Sequence, residues 1–150
     1  MINKMNKGRL AIGCDHAGFE YKELLKAFLE KNGYFVEDFG TFSKESVDYP
    51  DYVHPLADSI EAGKNEYGIL ICGSANGVAI TANKHKYIRA AIVWQNDVAE
   101  LSRKHNNANI LCLPARFISI DQAEQFTKTF LNTSFEGGRH ALRVKKIVSE

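Results

Sequence analysis

Five short apolar segments, separated by stretches with helical periodicity, constrain the fold of this sequence more than any other feature. The apolar segments are residues 10–12, 34–36, 67–72, 90–94 and 110–113. Near-continuous apolar strands are typical of parallel sheets that helices cover on both faces. The alternation therefore predicts an α/β fold, in which ligands bind beyond the carboxyl ends of the strands.

The helical stretches have recognisable faces and ends. After the first strand, one face is apolar (Leu24, Leu25, Phe28 and Leu29), and the polar side chains Lys22, Glu23, Lys26 and Glu30 point elsewhere. Gly33 follows, where a helix end favours positive φ. Asn96 or Asp97 is predicted to cap a helix that reaches residue 105, and Ser119 or Asp121 another that reaches residue 131. Residues 41–55 contain two prolines and are predicted to form the longest loop.

Length and charge exclude several classes of protein. A chain of 150 residues, 45% of them apolar, predicts one domain over residues 1–150, with residues 1–7 as a flexible N-terminal extension. The 19 basic and 18 acidic residues form no basic block, so nucleic acid is not an expected partner. The chain has no signal-peptide pattern and no run of 18 apolar residues, which predicts a soluble, cytoplasmic protein with no membrane partner.

Polar side chains follow the predicted strands and are expected to meet at one rim. Cys14, Asp15 and His16 follow the first strand, Cys72 ends the third, and the helix after the fourth ends near His105. Each has an ordinary explanation by itself: Asp15 could cap a helix, and His16 could be a surface histidine. Cys14 and Cys112 lie inside apolar segments and are predicted to fill the core. The three cysteines are too widely spaced to indicate a disulfide framework or a metal site.

The small residues after Cys72, G-S-A-N-G, allow close approach of a ligand to the backbone. The N–H groups of residues 73–78 could converge on an anion there. The segment fits neither common nucleotide-binding glycine pattern. A thiol beside such N–H groups could instead be a general base next to an oxyanion hole, which is the chemistry of proton abstraction beside a carbonyl.

Two arginines near the end of the chain are spaced by one helical turn. Arg139 and Arg143 follow two glycines in E-G-G-R-H-A-L-R-V. They form either a solvated basic face or a pair of guanidinium groups for a phosphate. Because their helix ends the chain, a symmetric dimer could bring it to a neighbour's crevice.

Six segments in this order resemble the B-type ribose-5-phosphate isomerases, a family that also contains allose- and galactose-6-phosphate isomerases. They are G-C-D-H-A-G (13–18), D-Y-P (48–50), I-C-G-S-A-N-G (71–77), A-N-K (82–84), S-R-K-H-N-N-A-N (102–109) and G-G-R-H-A-L-R-V (137–144). The resemblance implies a three-layer α/β/α sandwich with a five-stranded, Rossmann-like parallel sheet. It also implies a sugar-phosphate substrate, a homodimer or homotetramer, and no cofactor or metal.

The resemblance also implies roles for individual residues. The family interconverts aldose and ketose through a cis-enediolate, with a base either at the position of Cys72 or at that of Val78. Valine cannot carry a proton, so the resemblance implies that Cys72 is the base. Ser74 and the backbone of the turn (Gly73, Ala75, Asn76 and Gly77) would hold the enediolate oxygen. His105 would open the sugar ring.

The remaining implied contacts are with hydroxyl and phosphate groups. Asp15 and Tyr49 would contact hydroxyls, and Asn106 would be a further polar contact. The phosphate would be bound by His16, Arg116, Arg139 and Arg143, in a site shared between subunits.

Two positions depart from the family pattern. Ala75 and Pro114 stand where many members have glycine, so Ala75 must avoid positive φ or accept strain, and Pro114 could shift Arg116.

Three functions compete. The leading function is isomerisation of ribose 5-phosphate and ribulose 5-phosphate in the pentose phosphate pathway. The alternatives are isomerisation of allose 6-phosphate or another hexose 6-phosphate, and a non-catalytic sugar-phosphate sensor that would need neither a base nor a ring-opening histidine.

Overall fold

A five-stranded parallel sheet lies between two layers of helices in the computed structural model, which describes residues 6–149. The strands are β1 (Arg9–Cys14), β2 (Phe35–Asp38), β3 (Tyr67–Cys72), β4 (Ala90–Ile92) and β5 (Ile110–Pro114). The helices are α1 (Phe19–Lys31), α2 (Pro50–Glu61), α3 (Asn76–Ala82), α4 (Asn96–Lys104), α5 (Ile120–Leu131) and α6 (Arg139–Lys145). The strand order is β2-β1-β3-β5-β4, and every pair is parallel. The predicted α/β/α fold is confirmed.

Alternate side chains of the strands build a separate core on each face of the sheet. Leu10 and Ile12 face the layer of α1, α4 and α5, whereas Ala11 and Leu70 face the layer of α2 and α3. Because both faces are covered, the strands are apolar at nearly every position, which is the pattern that the sequence shows. Cys14 and Cys112 are buried in the two cores, as predicted, and all three cysteines are unpaired.

Local signals at helix ends are confirmed where the chain has strong ones. Ser119 caps α5 in a reciprocal arrangement with Gln122, and Gly33 has φ 94° after α1. On α1, however, the predicted division into a polar and an apolar face is wrong for Lys22 and Leu24. Lys22 is fully buried and Leu24 is 51% exposed, because Lys22 has a buried carboxylate partner in Asp38.

The prediction of a loop over residues 41–55 is wrong in its second half. Helix α2 already begins at Pro50, which occupies the first helical position, where a missing N–H costs no hydrogen bond. Pro55 lies within the same helix. The two prolines therefore belong to a helix, and the loop that remains ends at Tyr49, on the rim of the sheet.

The prediction of a single rim is wrong for His105. Helix α4 runs back from the carboxyl end of β4, so it ends near the beginning of β5. The N–H of Ala108 bonds to the carbonyl of Ser102 at 2.9 Å, and that of Asn109 bonds to the carbonyl of Arg89, just before β4, at 3.0 Å. His105 thus lies at the amino edge of the sheet, and Cys72 lies at the carboxyl edge.

The predicted extension over residues 1–7 lies mostly outside the described residues. Within them, the N–H of Lys7 bonds to the carbonyl of Gly33 at 3.0 Å. Among residues 6–149, the helices are all too short or too polar to span a lipid bilayer.

Candidate active site

A cleft of about 870 Å³ opens beyond the carboxyl ends of β1, β3 and β5. Its walls come from the turn after β1, the loop before α2, the turn after β3 and the segment after β5. Eight of the residues singled out in the sequence line it: Asp15, His16, Tyr49, Cys72, Gly73, Ser74, Gly77 and Arg116. The chain thus brings together the predicted base, the predicted oxyanion turn and part of the predicted phosphate site.

Cys72 is the last residue of β3 and lies at the floor of the cleft, 5% exposed. Burial raises the pKa of its thiol, and the negative charge of Asp15 raises it further. The backbone N–H groups of Val78, Ala75 and Ser74 act in the opposite direction, because they stabilise the thiolate. The thiol is therefore protonated at rest, in a setting that can stabilise negative charge.

The turn after Cys72 has a strained backbone. Ala75 has φ 66° and ψ −2° and is fully buried, so it accepts strain rather than avoiding positive φ. A left-handed alanine costs about 1–2 kcal/mol. The Oγ of Ser74 accepts hydrogen bonds from the backbone N–H of Asn76 at 3.3 Å and from its Nδ2 at 3.2 Å. Ala75 and Asn76 shape the turn without lining the cleft.

Two glycines of the turn allow side chains from other segments to approach the backbone. A Cβ atom on Gly77 would lie 2.5 Å from Cζ of Tyr49, which no real contact allows. A Cβ atom on Gly73 would lie 3.2 Å from the guanidinium carbon of Arg116. Tyr49 and Arg116 thus lie directly against the turn after Cys72, and they can do so because Gly77 and Gly73 have no side chains.

Asp15 is both a helix cap and a wall of the cleft. Its Oδ1 accepts hydrogen bonds from the N–H of Ala17 at 2.9 Å and from that of Gly18 at 3.1 Å, which caps the 3-10 turn His16–Gly18. Gly18 is required there, because a Cβ atom would lie 2.4 Å from the carbonyl oxygen of Ile71. The capping interpretation of Asp15 is therefore confirmed, and the same side chain lines the cleft.

A backbone contact selects the tautomer of neutral His16. Its Nδ1 accepts a hydrogen bond from the N–H of Val47 at 3.3 Å. The proton of the neutral ring is then on Nε2, which leaves an N–H donor for a ligand. A donor is what a phosphate oxygen requires.

Pro114 leaves Arg116 in the cleft. The N–H of Ala115 bonds to the carbonyl of Cys72 at 2.9 Å, and that of Arg116 bonds to the carbonyl of Gly73 at 3.1 Å. The nitrogen of Pro114 faces the β4 side, where the last bond of the ladder joins Val93 to Cys112. Proline therefore ends the β4–β5 ladder at this position and leaves the hydrogen bonds on the β3 side, which position Arg116, intact.

Six predicted site residues do not line this cleft: Ala75 and Asn76, which lie within the turn, and His105, Asn106, Arg139 and Arg143. The ring of His105 stacks on that of His140, with centroids 4.1 Å apart and planes 12° apart. Arg139 and Arg143 lie on α6, beside His140. Asn106 lines a second cavity, of about 650 Å³, near the amino end of β4.

Sequence reasoning also missed residues that line the cleft. Asp48 and Pro50 belong to the D-Y-P segment, but only its tyrosine was singled out. Phe117 is 74% exposed at the cleft margin and has no distinguishing pattern around it. Val47 was missed because its contribution, a backbone N–H for His16, does not depend on its side chain.

Comparison with known proteins gives a consistent result. A model of the family described as Ribose/Galactose Isomerase matches residues 10–147. Ribose-5-phosphate isomerase B of Escherichia coli is 40% identical over 141 residues, which cover 94% of this chain and 95% of that protein.

Two solved structures show the same fold over nearly the whole chain. The crystal structure of a ribose 5-phosphate isomerase from Thermotoga maritima has 49% sequence identity and a TM-score of 0.92, covering 93% of this chain and 97% of the other. Ribose-5-phosphate isomerase B of Mycoplasma genitalium, solved with bound ribulose-5-phosphate, has 37% identity and a TM-score of 0.89, covering 93% of each chain.

Proposed function

The chain belongs to the ribose/galactose isomerase family, and we propose that it interconverts ribose 5-phosphate and ribulose 5-phosphate. Relatives that match more than nine-tenths of the chain carry that activity in their names, which favours the pentose over a hexose phosphate. The observation that carries the proposal is the position of Cys72, a thiol facing the cleft among backbone N–H groups. We place the enzyme in the cytoplasm and in the pentose phosphate pathway.

Cys72 acts as the base in this proposal. Its thiolate removes the proton from C2 of the open-chain aldose, and the electron pair of that C–H bond forms the double bond of a cis-enediolate. The same proton is returned to C1, while a hydroxyl proton moves from O2 to O1, so the ketose forms without any change in overall composition. Backbone N–H groups of the turn and Ser74 stabilise the oxygen on which negative charge develops.

Binding of the substrate follows from the remaining groups of the cleft. Asp15 and Tyr49 contact the sugar hydroxyls, and the Nε2–H of His16 and the guanidinium of Arg116 contact the phosphate. Charge-assisted hydrogen bonds of this kind are roughly twice as strong as neutral ones.

A second copy of the chain supplies His105, Asn106, Arg139 and Arg143 in this proposal. These residues lie apart from the cleft in their own chain, and apolar surface accompanies them. Leu101 on α4, the helix that precedes His105, is 45% exposed. Leu142, between the two arginines on α6, is 60% exposed. Such surface favours an interface between copies in a dimer or a tetramer.

The deciding experiment is an assay of the purified protein on ribose 5-phosphate and, in parallel, on allose 6-phosphate. We expect a higher kcat/KM for ribose 5-phosphate, and a loss of roughly 10²–10⁴-fold or more on both sugars in Cys72→Ala. A preference for allose 6-phosphate would keep the chemistry and change the substrate. Binding without turnover in the unmutated protein would instead indicate a sensor.

A further inference from the structure

Within residues 6–149, two clusters of histidine and carboxylate side chains lie outside the cleft, and they differ in geometry. One contains His105, Glu136 and His140. Its two rings stack with planes only 12° apart. A metal ion binds histidine in the plane of the ring, and nearly parallel stacked rings share no nearby point in both planes. This cluster therefore cannot hold an ion between its two histidines as it stands.

The second cluster is built between α2 and the segment that follows α3. His54 and His85 have rings tilted by 44°, and Nδ1 of His54 lies 2.7 Å from Nε2 of His85. The two nitrogens face each other too closely for an ion to lie between them as they stand, but a turn of one ring lets both become ligands of the same ion.

Carboxylates hold His85 in the orientation that a metal ligand needs. The Oε1 of Glu61 lies 3.1 Å from Nδ1 of His85, and the side chains of His85 and Glu61 are only 14% and 22% exposed. The other oxygen of Glu61 accepts the N–H of Tyr87 at 3.0 Å, so the carboxylate is itself fixed. A carboxylate that accepts Nδ1–H leaves the Nε2 lone pair for a metal, which is the usual support of a zinc-binding histidine.

We propose that His54 Nδ1 and His85 Nε2 bind a divalent transition-metal ion such as Zn²⁺, in place of the proton that they share. Zinc–nitrogen bonds of about 2.0–2.1 Å at a tetrahedral angle put the two nitrogens about 3.3 Å apart. The two nitrogens are now 2.7 Å apart and, because the ring centroids are 5.0 Å apart, they point almost directly at each other. Metal binding therefore requires the His54 ring to move back by about 0.6 Å and also to turn, so that both nitrogens meet the ion at a tetrahedral angle. His54 is exposed on the surface of α2 and can make this change, whereas His85 stays fixed.

Asp58 is a second carboxylate beside the supported nitrogen of His85. It follows His54 by one helical turn, its side chain is 71% exposed, and its Oδ1 lies 3.5 Å from Nδ1 of His85, the same nitrogen that faces Glu61. Water molecules therefore complete the coordination shell of the ion at Nε2. Imidazole ligands favour zinc, copper and nickel over magnesium and calcium, which prefer all-oxygen sites.

The ion would connect the two helices that border the substrate cleft. Helix α2 begins just after Tyr49, and α3 begins at Asn76, in the oxyanion turn. His54 lies one turn into α2, and His85 lies just beyond the end of α3. The bound ion therefore holds α2 against the α3 segment, and its role is structural.

The test uses untagged, chelator-treated protein and Zn²⁺ or Co²⁺ as the probe. We expect one equivalent of Co²⁺ to bind with a visible spectrum of nitrogen and oxygen ligation, and Zn²⁺ to displace it and raise Tm. His54→Gln and His85→Gln should each weaken binding at least tenfold. Glu61→Gln should weaken it by roughly 10–100-fold, as expected for a residue that orients a ligand.

His140→Gln is the matched control, because it removes a histidine from the other cluster. It should leave the Co²⁺ spectrum and the Zn²⁺-dependent rise in Tm unchanged. Each variant is compared with itself with and without metal, so a loss of stability does not obscure the result. Absence of saturable binding, unchanged affinity in His54→Gln, or loss of binding in His140→Gln would each overturn the proposal.

Discussion

At the scale of single residues, position distinguishes Cys72 from the other two cysteines. Burial raises the pKa of Cys14 to about 12 and also raises that of Cys112. Burial raises the pKa of Cys72 as well, but three backbone N–H groups oppose the shift there. The same cleft gives the thiol access to a ligand. Thiol chemistry is therefore expected at Cys72 rather than at the other two positions.

Replacement of that thiol should remove catalysis and little else. In Cys72→Ala we expect kcat to fall by roughly 10²–10⁴-fold or more, because a general base is lost while the groups that contact the phosphate remain. Cys112→Ala, on the same face of the sheet, is the control and should keep its kcat. Steady-state kinetics and thermal unfolding of both variants make the comparison; a Cys72→Ala enzyme with nearly normal kcat would place the base elsewhere.

The raised pKa of Cys72 also predicts a pH dependence. The thiolate fraction increases as pH rises toward the pKa, so kcat/KM should rise from neutral to alkaline pH. A profile of kcat/KM against pH measures this for the free enzyme. A flat profile over that range would mean that another group limits the reaction.

Gly77 lies against the ring of Tyr49, so a methyl group added at position 77 should displace that ring. Gly77→Ala brings its Cβ to 2.5 Å from the ring, which must move away. We expect a loss of about 1–3 kcal/mol in stability from overpacking, and a higher KM, because Tyr49 no longer lies against the turn. The double variant Gly77→Ala/Tyr49→Ala should recover stability without recovering KM. Additive losses of stability would contradict this contact.

At the scale of secondary structure, a buried ion pair joins α1 to β2. The Nζ of Lys22 lies 2.6 Å from Oδ2 of Asp38 and 2.9 Å from Oε1 of Glu23. Burial lowers the pKa of Lys22, but the contacts with Asp38 and Glu23 raise it more, so the net pKa is raised. Asp38 also accepts the N–H of Gly40 at 2.8 Å. The pair thus fixes the end of β2 and the start of the loop that leads to the cleft.

Breaking this pair from either side should have unequal effects. Asp38→Asn leaves a buried ammonium group without its main partner and should cost about 3–5 kcal/mol, whereas Lys22→Met should cost less, because the carboxylate of Asp38 keeps Lys26 at 3.5 Å. Urea unfolding measures both. A group with a raised folded pKa contributes stability that is complete below its unfolded pKa, about 10.4 for lysine, and is lost as pH rises through the folded value. The advantage of the wild type over Lys22→Met should therefore shrink only above about pH 10. A cost below about 1 kcal/mol for Asp38→Asn would contradict the buried ion pair.

The sequence predicts elements well where one residue decides the outcome locally. Ser119 starts α5 and Gly33 follows α1 because capping and positive φ are local requirements. The errors arise where a distant partner decides. Lys22 is buried only because Asp38 comes from β2, and the edge at which His105 lies depends on the direction of α4 across the sheet. His54 and His85 are separated by 31 positions, so their spacing carries no signal for a shared site.

At the scale of the whole molecule, the cleft and the helix that carries the arginines belong to different parts of the chain. If a second copy supplies Arg139 and Arg143, two inactive variants should complement each other. Refolding equal amounts of Cys72→Ala and Arg139→Ala/Arg143→Ala gives hybrids in about half of the dimers, each with one intact site, so activity should return to about a quarter of wild type. Native mass spectrometry counts the hybrids. A mixture with hybrids but no gain in activity would place the arginines within their own subunit's site or outside any site.

The proposed ring-opening role of His105 predicts a dependence on the form of the substrate. His105→Asn should reduce turnover of ribose 5-phosphate more than isomerisation of erythrose 4-phosphate, which cannot close a furanose ring through its phosphorylated oxygen. The ratio of kcat/KM for the two sugars, in variant and wild type, is the measurement. Equal losses on both sugars would indicate that His105 positions the substrate rather than transferring a proton.

The separation of His105 from Cys72 across the sheet also determines how activity responds to dilution. With a shared site, a protomer that dissociates loses its ring-opening group and two phosphate ligands at once. Specific activity is then constant while the protein concentration is well above the dissociation constant of the dimer. At concentrations below that constant, specific activity decreases because the dimer dissociates by mass action. Within a cell, the rate of synthesis of the chain would set both the number of active sites and the fraction that is complete.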